Sequence, residues 1–203
     1  MRWSFFDRRV CLTTDPEEWE IGRLEFERVG LQVEKFQSIP DIGPHQSFSR
    51  SVRQILIDFQ ESDAQRLLHV EDDCLFRELW HMEYALHELP EDWDIVYLGA
   101  NLVLWDAEKP KPPTRYSSRL FRVYGAWATH AIGFNKRVLP YLLENQPGFS
   151  ERMFDNWLST RLPELNAFVV APMVAYQRAR HSSIWGRFDD YTPIFEESDR
   201  MLK

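Results

Sequence analysis

Between Leu67 and Cys74 an apolar run, Leu67-Leu68-His69-Val70, ends abruptly in three consecutive carboxylates, Glu71-Asp72-Asp73, and apolar character returns at Leu75. A short apolar run bounded by polar residues reads as a buried strand. In open α/β sheets, ligands bind just beyond the carboxyl ends of such strands, which is where these acids stand. Adjacent carboxylates repel one another, so a cation or a shared proton must make the arrangement tolerable. All-oxygen ligation suits hard divalent ions such as Mg²⁺ or Mn²⁺, above all when a diphosphate supplies further oxygens. The competing reading is a solvated acidic turn.

The 203 residues are enough for one domain with a real core, and we expect a single domain over 1–203 with 186–203 as a C-terminal tail. A net charge of −8 disfavours a general nucleic-acid binder, while a local basic groove stays open. No run approaches the roughly 18–20 apolar residues of a membrane span. The start, Met1 to Arg9, is too short and too charged for a signal peptide. Cys11 and Cys74 both fall in predicted strands and read as buried free thiols of a reducing compartment. The expectation is a cytoplasmic protein, at most peripheral to a membrane.

In chain order, Val10 to Thr14 predicts a first strand. Asp15-Pro16-Glu17-Glu18 predicts a helix start, with a stop at Gly30. Leu31 to Phe36 reads as a second strand, so the opening is β-α-β and suggests a parallel sheet. Phe48, Val52, Ile55, Leu56 and Phe59 mark a strong amphipathic helix, and Leu79 to Leu89 a further one. Asp94 to Gly99 is a strand whose end, Gly99-Ala100-Asn101, is small enough for a ligand to approach. Asp94 itself sits at the strand's start and reads as structural. Glu108 to Ser118, with its prolines, is a long loop. Leu120 to Tyr124 and Trp127 to Phe134 predict β segments, Asn135 a short helix start, and Phe154 to Leu158 a helix after the polar loop 146–152. Asn166 to Ala171 is the last strand; the tail from Gly186, which mixes Phe188, Tyr191, Ile194 and Phe195 with charges, should pack down over the domain and fray at its final residues. His69 and His130 read as buried, hydrogen-bonded histidines.

The order of these segments resembles glycosyltransferase family 25, which includes lipopolysaccharide-type sugar transferases and the collagen galactosyltransferase domain. The likeness rests on Asp7-Arg8-Arg9 before the first helix, the helix from Ser47, and Leu68-His69-Val70-Glu71-Asp72-Asp73 against a Leu-x-Leu-Glu-Asp-Asp signature. It continues with Trp93-Asp94-Ile95-Val96-Tyr97-Leu98-Gly99, Thr129 to Gly133, Asp155 before Trp157-Leu158, and Ala171-Pro172 through Ser182-Ser183-Ile184, covering about residues 7 to 186. The chain departs where Cys11-Leu12-Thr13-Thr14 replaces the family's usual Asn-Leu-x-x-Arg, and where its Ser-His pair becomes Ser49-Arg50 or Ser51-Val52.

The resemblance implies an α/β fold of the GT-A (Rossmann-like) type, a mostly parallel central sheet flanked by helices. It also implies inverting transfer of galactose or glucose from a UDP-sugar, with Mn²⁺ or Mg²⁺, to a hydroxyl of a glycan-like acceptor. Alternate side chains of an extended segment point the same way, so Glu71 and Asp73 share one site. Asp73 is the expected direct metal ligand and Glu71 a direct or water-mediated one, with His181 as a further ligand. Asp72 meets the donor ribose or sugar, and Thr13, Gly99, Asn101, Arg178, Arg180 and Ser182 complete the donor-binding set. For Arg178, Arg180 and His181 the alternative is an exposed basic loop. Inversion needs a base for the acceptor hydroxyl, and Asp155 is expected in that role, with a helix N-cap as its alternative. Trp105, Trp127 and Trp185 are candidates for stacking on a sugar, against core packing. The rival functions are a non-catalytic nucleotide-sugar or glycan binder, a nucleotidyltransferase, and transfer to nucleic-acid bases. A nucleotidyltransferase should carry a Gly-rich phosphate loop near the first strand, and Thr13-Thr14-Asp15-Pro16 is not one.

Overall fold

The computed structural model describes residues 3–103, 111–146, 153–182 and 186–203. Trp105, Trp185, Ser183, Ile184 and most of the 146–152 loop lie outside the described residues. The elements are β1 (Arg8–Thr13), α1 (Pro16–Arg28), β2 (Glu34–Gln37), α2 (Pro44–Glu61), β3 (Arg66–Glu71), β4 (Cys74–Phe76), α3 (Met82–His87) and β5 (Ile95–Tyr97). They continue with β6 (Thr114–Arg115), β7 (Leu120–Arg122), β8 (Ala131–Asn135), α4 (Leu139–Asn145), α5 (Phe154–Arg161), β9 (Ala167–Val170), β10 (Ala175–Gln177), β11 (Arg180–His181), β12 (Phe188–Asp189) and α6 (Thr192–Arg200).

The main sheet has the order β2-β1-β3-β8-β5-β9-β7-β6. Strands β1, β2, β3, β5, β6 and β9 run one way, and β7 and β8 the other, so the sheet is mostly parallel. Its strands alternate with period two between two apolar layers. Val10, Leu12, Leu67, Ile95, Tyr97 and Val169 face α2, α4, α5 and α6. Cys11, Leu68, Val70, Val96, Leu98 and Val170 face α1, α3 and the N-terminal Trp3 and Phe6. The α2 stripe is almost wholly enclosed, with Val52, Ile55, Leu56 and Phe59 each at most 1% exposed. Each such side chain contributes about 1.5–3 kcal/mol of hydrophobic stabilisation.

Local signals set several boundaries. Asp15 Oδ1 accepts from Glu17 N–H at 2.7 Å, and Pro16 occupies the first position of α1. Gly30, at φ +68°, ends α1, with Leu31 N–H donating to Phe26 O at 2.8 Å. That bond occupies Leu31, so β2 begins at Glu34 rather than at Leu31. β8 begins only at Ala131 because Ala128 adopts φ +69° and Trp127 makes one isolated bridge, to Asn101. Asp94 is structural: its Oδ2 accepts from Asn166 N–H at 2.9 Å.

Two expectations are corrected. The tail packs down over the domain as α6, as expected, but its end is not frayed: Leu102 N–H donates to Ser198 Oγ at 2.9 Å, and Leu202 is 4% exposed. His69 is buried, but neither ring nitrogen has a hydrogen-bond partner, so its burial is not offset by a hydrogen bond. His130 is equally enclosed, with the Ala175 backbone as its polar neighbour. Among the described residues no helix is long and apolar enough to cross a membrane.

Candidate active site

Two neighbouring parallel strands end together. Leu12 of β1 lies opposite Glu71 of β3, so Thr13 and the acid turn emerge at one sheet edge. Thr13 Oγ1 donates to Asp72 Oδ2 at 2.6 Å. Helix α1 presses against the turn: a Cβ on Gly22 would stand 2.5 Å from Asp72 O and 3.0 Å from its Cα. Only a glycine allows that approach. Beyond the turn, β4 pairs antiparallel with β10, and Arg178 N–H donates to Asp73 O at 2.8 Å. The pairing brings Arg178 and Arg180 to acids more than a hundred positions earlier in the chain.

Arg180 bridges the acids, with Nη1 2.8 Å from Asp72 Oδ1 and Nε 3.0 Å from Asp73 Oδ2. Glu18 of α1 pairs with Arg178 and stands 3.6 Å from Arg180 Nη1. Gln177 Nε2 donates to Asp73 Oδ2 at 3.3 Å, and Thr129 Oγ1 donates to Glu71 Oε1 at 2.9 Å. Burial pushes the Glu71 carboxyl up to about 8, and the neighbouring Asp73 charge adds to the shift. Burial also raises Asp72 and Asp73, with Arg180 pulling both back. For Arg180, burial opposes the charged form, but Asp73, Asp72 and Glu71 outweigh it and hold the guanidinium charged. Arg180 is thus the shared cation of this edge, and burial favours the neutral form of Glu71.

The carboxylates are still not fully matched. Asp73 Oδ1 is buried and has no hydrogen-bond partner. An uncompensated buried carboxylate oxygen is costly unless an ion or ligand meets it. Glu71 and Asp73 both line the cavity beside the edge, and two hard oxygen donors of this kind fit Mg²⁺ or Mn²⁺. Among the described residues no three His, Cys, Asp or Glu side chains surround one metal position. Further ligands would therefore come from water or from phosphate oxygens.

The cavity measures about 510 Å³. Its wall takes in Glu71 and Asp73 of the acid edge, Thr129, Trp127 and Asp155, and residues of the segment leading into α6. Asp155 lies in the first turn of α5, one residue past its start, rather than at the N-cap, which is Met153. Its Oδ1 accepts from Asn156 N–H at 2.7 Å, and the Ala128 amide also reaches it. Burial nevertheless raises the Asp155 carboxyl above its ordinary value, and these backbone bonds only partly offset the shift. The positive φ of Ala128 aims its amide there, an uncommon conformation for a residue with a side chain.

Of the residues singled out in the sequence, Glu71, Asp73, Asn101, Trp127, Asp155, Arg178, Arg180 and Ser182 line this one cavity. Thr13 and Asp72 stand behind it, joined to each other and to Arg180. Gly99 is not on the cavity wall: its Cβ would fall 1.8 Å from Ala175 O, so its smallness serves backbone contact with β10. His181 is exposed, meets the Phe188 ring edge-on, and lies outside the cavity wall. Glu18, Gly22, Thr129 and Gln177 were not singled out individually. Glu18 looks in sequence like an ordinary first-turn acid, and Gly22 like a helix-weakening glycine.

No family model and no curated protein sequence matches the chain, so the resemblance to family 25 rests on its motifs alone. Among solved structures, the protein A197 from STIV aligns at a TM-score of 0.56 and 12% identity, over 85% of this chain and 86% of that one. That likeness extends to the fold. A glycosyltransferase involved in the glycosylation of the major capsid of PBCV-1 aligns at a TM-score of 0.43 and 13% identity, over 80% of this chain and 81% of that one. The inositol-1-phosphate CTP transferase from T. maritima aligns at 0.44 and 14%, over 97% and 78%. At TM-scores of 0.43 and 0.44 the last two likenesses carry no argument.

Proposed function

We propose that the chain is a metal-dependent, inverting glycosyltransferase that moves a hexose, galactose or glucose, from a UDP-sugar to a hydroxyl of a glycan-like acceptor. The observation that carries this reading is that one cavity joins the Glu71–Asp73 edge, two arginines and the half-buried Asp155. Those are the two ends that a single displacement requires. In this reading residues 1–203 act as one catalytic domain, and the buried thiols Cys11 and Cys74 suit a reducing, cytoplasmic setting.

Glu71 and Asp73 would hold the divalent ion, which supplies charge stabilisation for the departing nucleoside diphosphate. Arg178 and Arg180 line the same end and offset the remaining diphosphate charge. Thr13 and Arg180 fix the Asp72 carboxylate from both sides. At the other end, Asp155 takes the proton of the acceptor hydroxyl as its oxygen bonds to the anomeric carbon and the bond to the diphosphate oxygen breaks. A carboxylate raised by burial is a stronger base than one in water.

The Arg180 bridge favours one second reading, a nucleotide-sugar or glycan binder that does not transfer. A guanidinium already seated on Asp72 and Asp73 partly fills the role of a cation. The two readings separate on Asp155→Asn. In a transferase this variant retains UDP binding and loses about 10²–10⁴-fold in sugar release from UDP-galactose or UDP-glucose, measured with Mn²⁺ or Mg²⁺. Nucleotide binding with no turnover in the wild-type protein supports the binder instead.

A further inference from the structure

The acid edge is paired with itself in both signs. Arg180 holds two acids through different nitrogens, Nη1 on Asp72 Oδ1 at 2.8 Å and Nε on Asp73 Oδ2 at 3.0 Å. Asp72 is also held by Thr13 Oγ1 at 2.6 Å. Glu18 of α1 pairs with Arg178 and stands 3.6 Å from Arg180 Nη1. The backbone under Arg180 is fixed: Arg180 lies opposite Asp189 in the β11–β12 pair, and Ser182 N–H donates to Arg187 O at 2.8 Å. Asp189 has its own partners, Arg187 Nε at 2.9 Å and the Tyr191 hydroxyl at 3.3 Å. Asp73 is 4% exposed, lines the cavity, and its other oxygen, Oδ1, has no hydrogen-bond partner. Arg180 thus stands where the charge of a divalent ion would act, and Glu18 stands in for a diphosphate at Arg178.

We infer that Arg180 is a lock on the metal position: without a nucleotide it keeps divalent ions off Asp73, and the ion enters together with a nucleoside diphosphate, whose oxygens take over Arg178 and the Arg180 Nε. The inference rests on the metal-dependent reading above and adds the order in which that site assembles. A guanidinium on the Asp73 carboxylate opposes an ion on the same carboxylate by like charge, whichever oxygen the ion takes. At about 5 Å and an effective dielectric of about 20, that repulsion alone costs the ion more than about tenfold in affinity. Among the described residues no third acid, histidine or cysteine joins Glu71 and Asp73 around one metal position. An ion alone therefore has two acids and water, while one carried by a diphosphate brings further oxygens with it. The exchange needs no backbone movement. Rotation of the Arg180 side chain frees Nε from Asp73 while Nη1 keeps Asp72 as its tether.

The experiment is calorimetric titration of Mn²⁺, first alone and then with UDP present, into wild type, Arg180→Met and Glu18→Gln. Wild type is expected to bind Mn²⁺ alone about tenfold or more weakly than with UDP, and Arg180→Met to bind Mn²⁺ alone about tenfold or more tightly than wild type does. Arg180→Gln, which keeps one N–H for the acids, gives the same reading if Arg180→Met does not fold. Glu18→Gln leaves the Arg180 bridge in place and is expected to bind Mn²⁺ alone no more tightly than wild type. An arginine that merely braces the fold gives Arg180 variants with unchanged or weaker Mn²⁺ binding, and that result overturns the inference. A gain in Glu18→Gln equal to that in Arg180→Met overturns it too, since any loosening of the edge would then admit the ion. Wild-type protein that binds Mn²⁺ equally with and without UDP overturns it while the metal-dependent reading stands. Absence of Mn²⁺ binding in every protein, with or without UDP, defeats the metal-dependent reading, and this inference with it.

Discussion

Gly22→Ala tests whether the acid turn is held in place by helix α1. The added methyl would lie 2.5 Å from Asp72 O, 3.0 Å from its Cα and 3.1 Å from its carbonyl carbon. All three are backbone atoms, so no side-chain rotation relieves the contact, and either α1 or the turn must move by several tenths of an ångström. Forcing a methyl into such a site costs about 1–3 kcal/mol. Replacing a helical glycine by alanine returns about 1 kcal/mol. The net loss of about 0–2 kcal/mol lowers Tm by at most about 8 °C for a chain of this size. The site should suffer more than the fold, because Asp72 is bonded to both Thr13 and Arg180 and the turn also carries Asp73. A misplacement approaching 1 Å costs about 10²-fold in a positioned site. We predict a fall of about ten- to a hundredfold in UDP affinity or donor turnover, by calorimetry and nucleotide release, with only a modest change in Tm. Leu24→Ala, on the exposed side of the same helix, serves as the control. UDP affinity within twofold of wild type would refute the reasoning, since the turn would then have absorbed the methyl without cost.

Arg180→Met removes the shared counter-charge of Asp72 and Asp73, and breaking such a pair costs about 3–5 kcal/mol. Tm should fall, and Mn²⁺ should restore more of it than in wild type; an unchanged Tm would mean that the bridge is not a determinant of the edge. Burial lowers the imidazole of His69 from 6.5 to about 3, with His130 nearby adding to the shift, and burial lowers that of His130 to about 4. Both are therefore favoured neutral in the fold, so their stabilising contribution is whole above pH 6.5 and is lost as pH falls from 6.5 towards those values. At pH 5 each accounts for a loss of about 2 kcal/mol. Urea unfolding at pH 7 and pH 5 should show His69→Phe losing about 2 kcal/mol less than wild type over that interval, and parallel losses would contradict the assignment.

The elements whose limits are written locally were legible in the sequence. Asp15-Pro16 and Gly30 delimit α1, and the stripe from Phe48 to Phe59 delimits the core of α2. The acid edge was legible because an apolar strand ending in three carboxylates has few tolerable surroundings. What stayed hidden depends on tertiary pairing. Nothing near Ala131 signals that β8 slots antiparallel between β3 and β5. His181 looked as eligible as Arg180, but neighbouring residues of β11 face opposite ways. Arg180 turns to the acids and His181 therefore turns out. At Gly99 the intolerance of a side chain was read correctly and the neighbour was not, since the close approach is by Ala175 O rather than by a ligand. The start of α6 did carry a signal, Asp190 accepting from Thr192 N–H one residue ahead of the Tyr191 N-cap and just before Pro193, within a segment that otherwise mixes aromatics and charges.

The most direct test of the central claim is calorimetric titration of UDP into the protein with Mn²⁺ and then with EDTA, alongside Asp73→Asn. If Glu71 and Asp73 hold the ion that receives a nucleoside diphosphate, binding requires Mn²⁺ and is lost in the variant. UDP binding equally tight in EDTA and in Asp73→Asn would contradict the claim, leaving Arg180 rather than a metal as the cation of the acid edge. No binding under either condition would remove the UDP-sugar reading altogether.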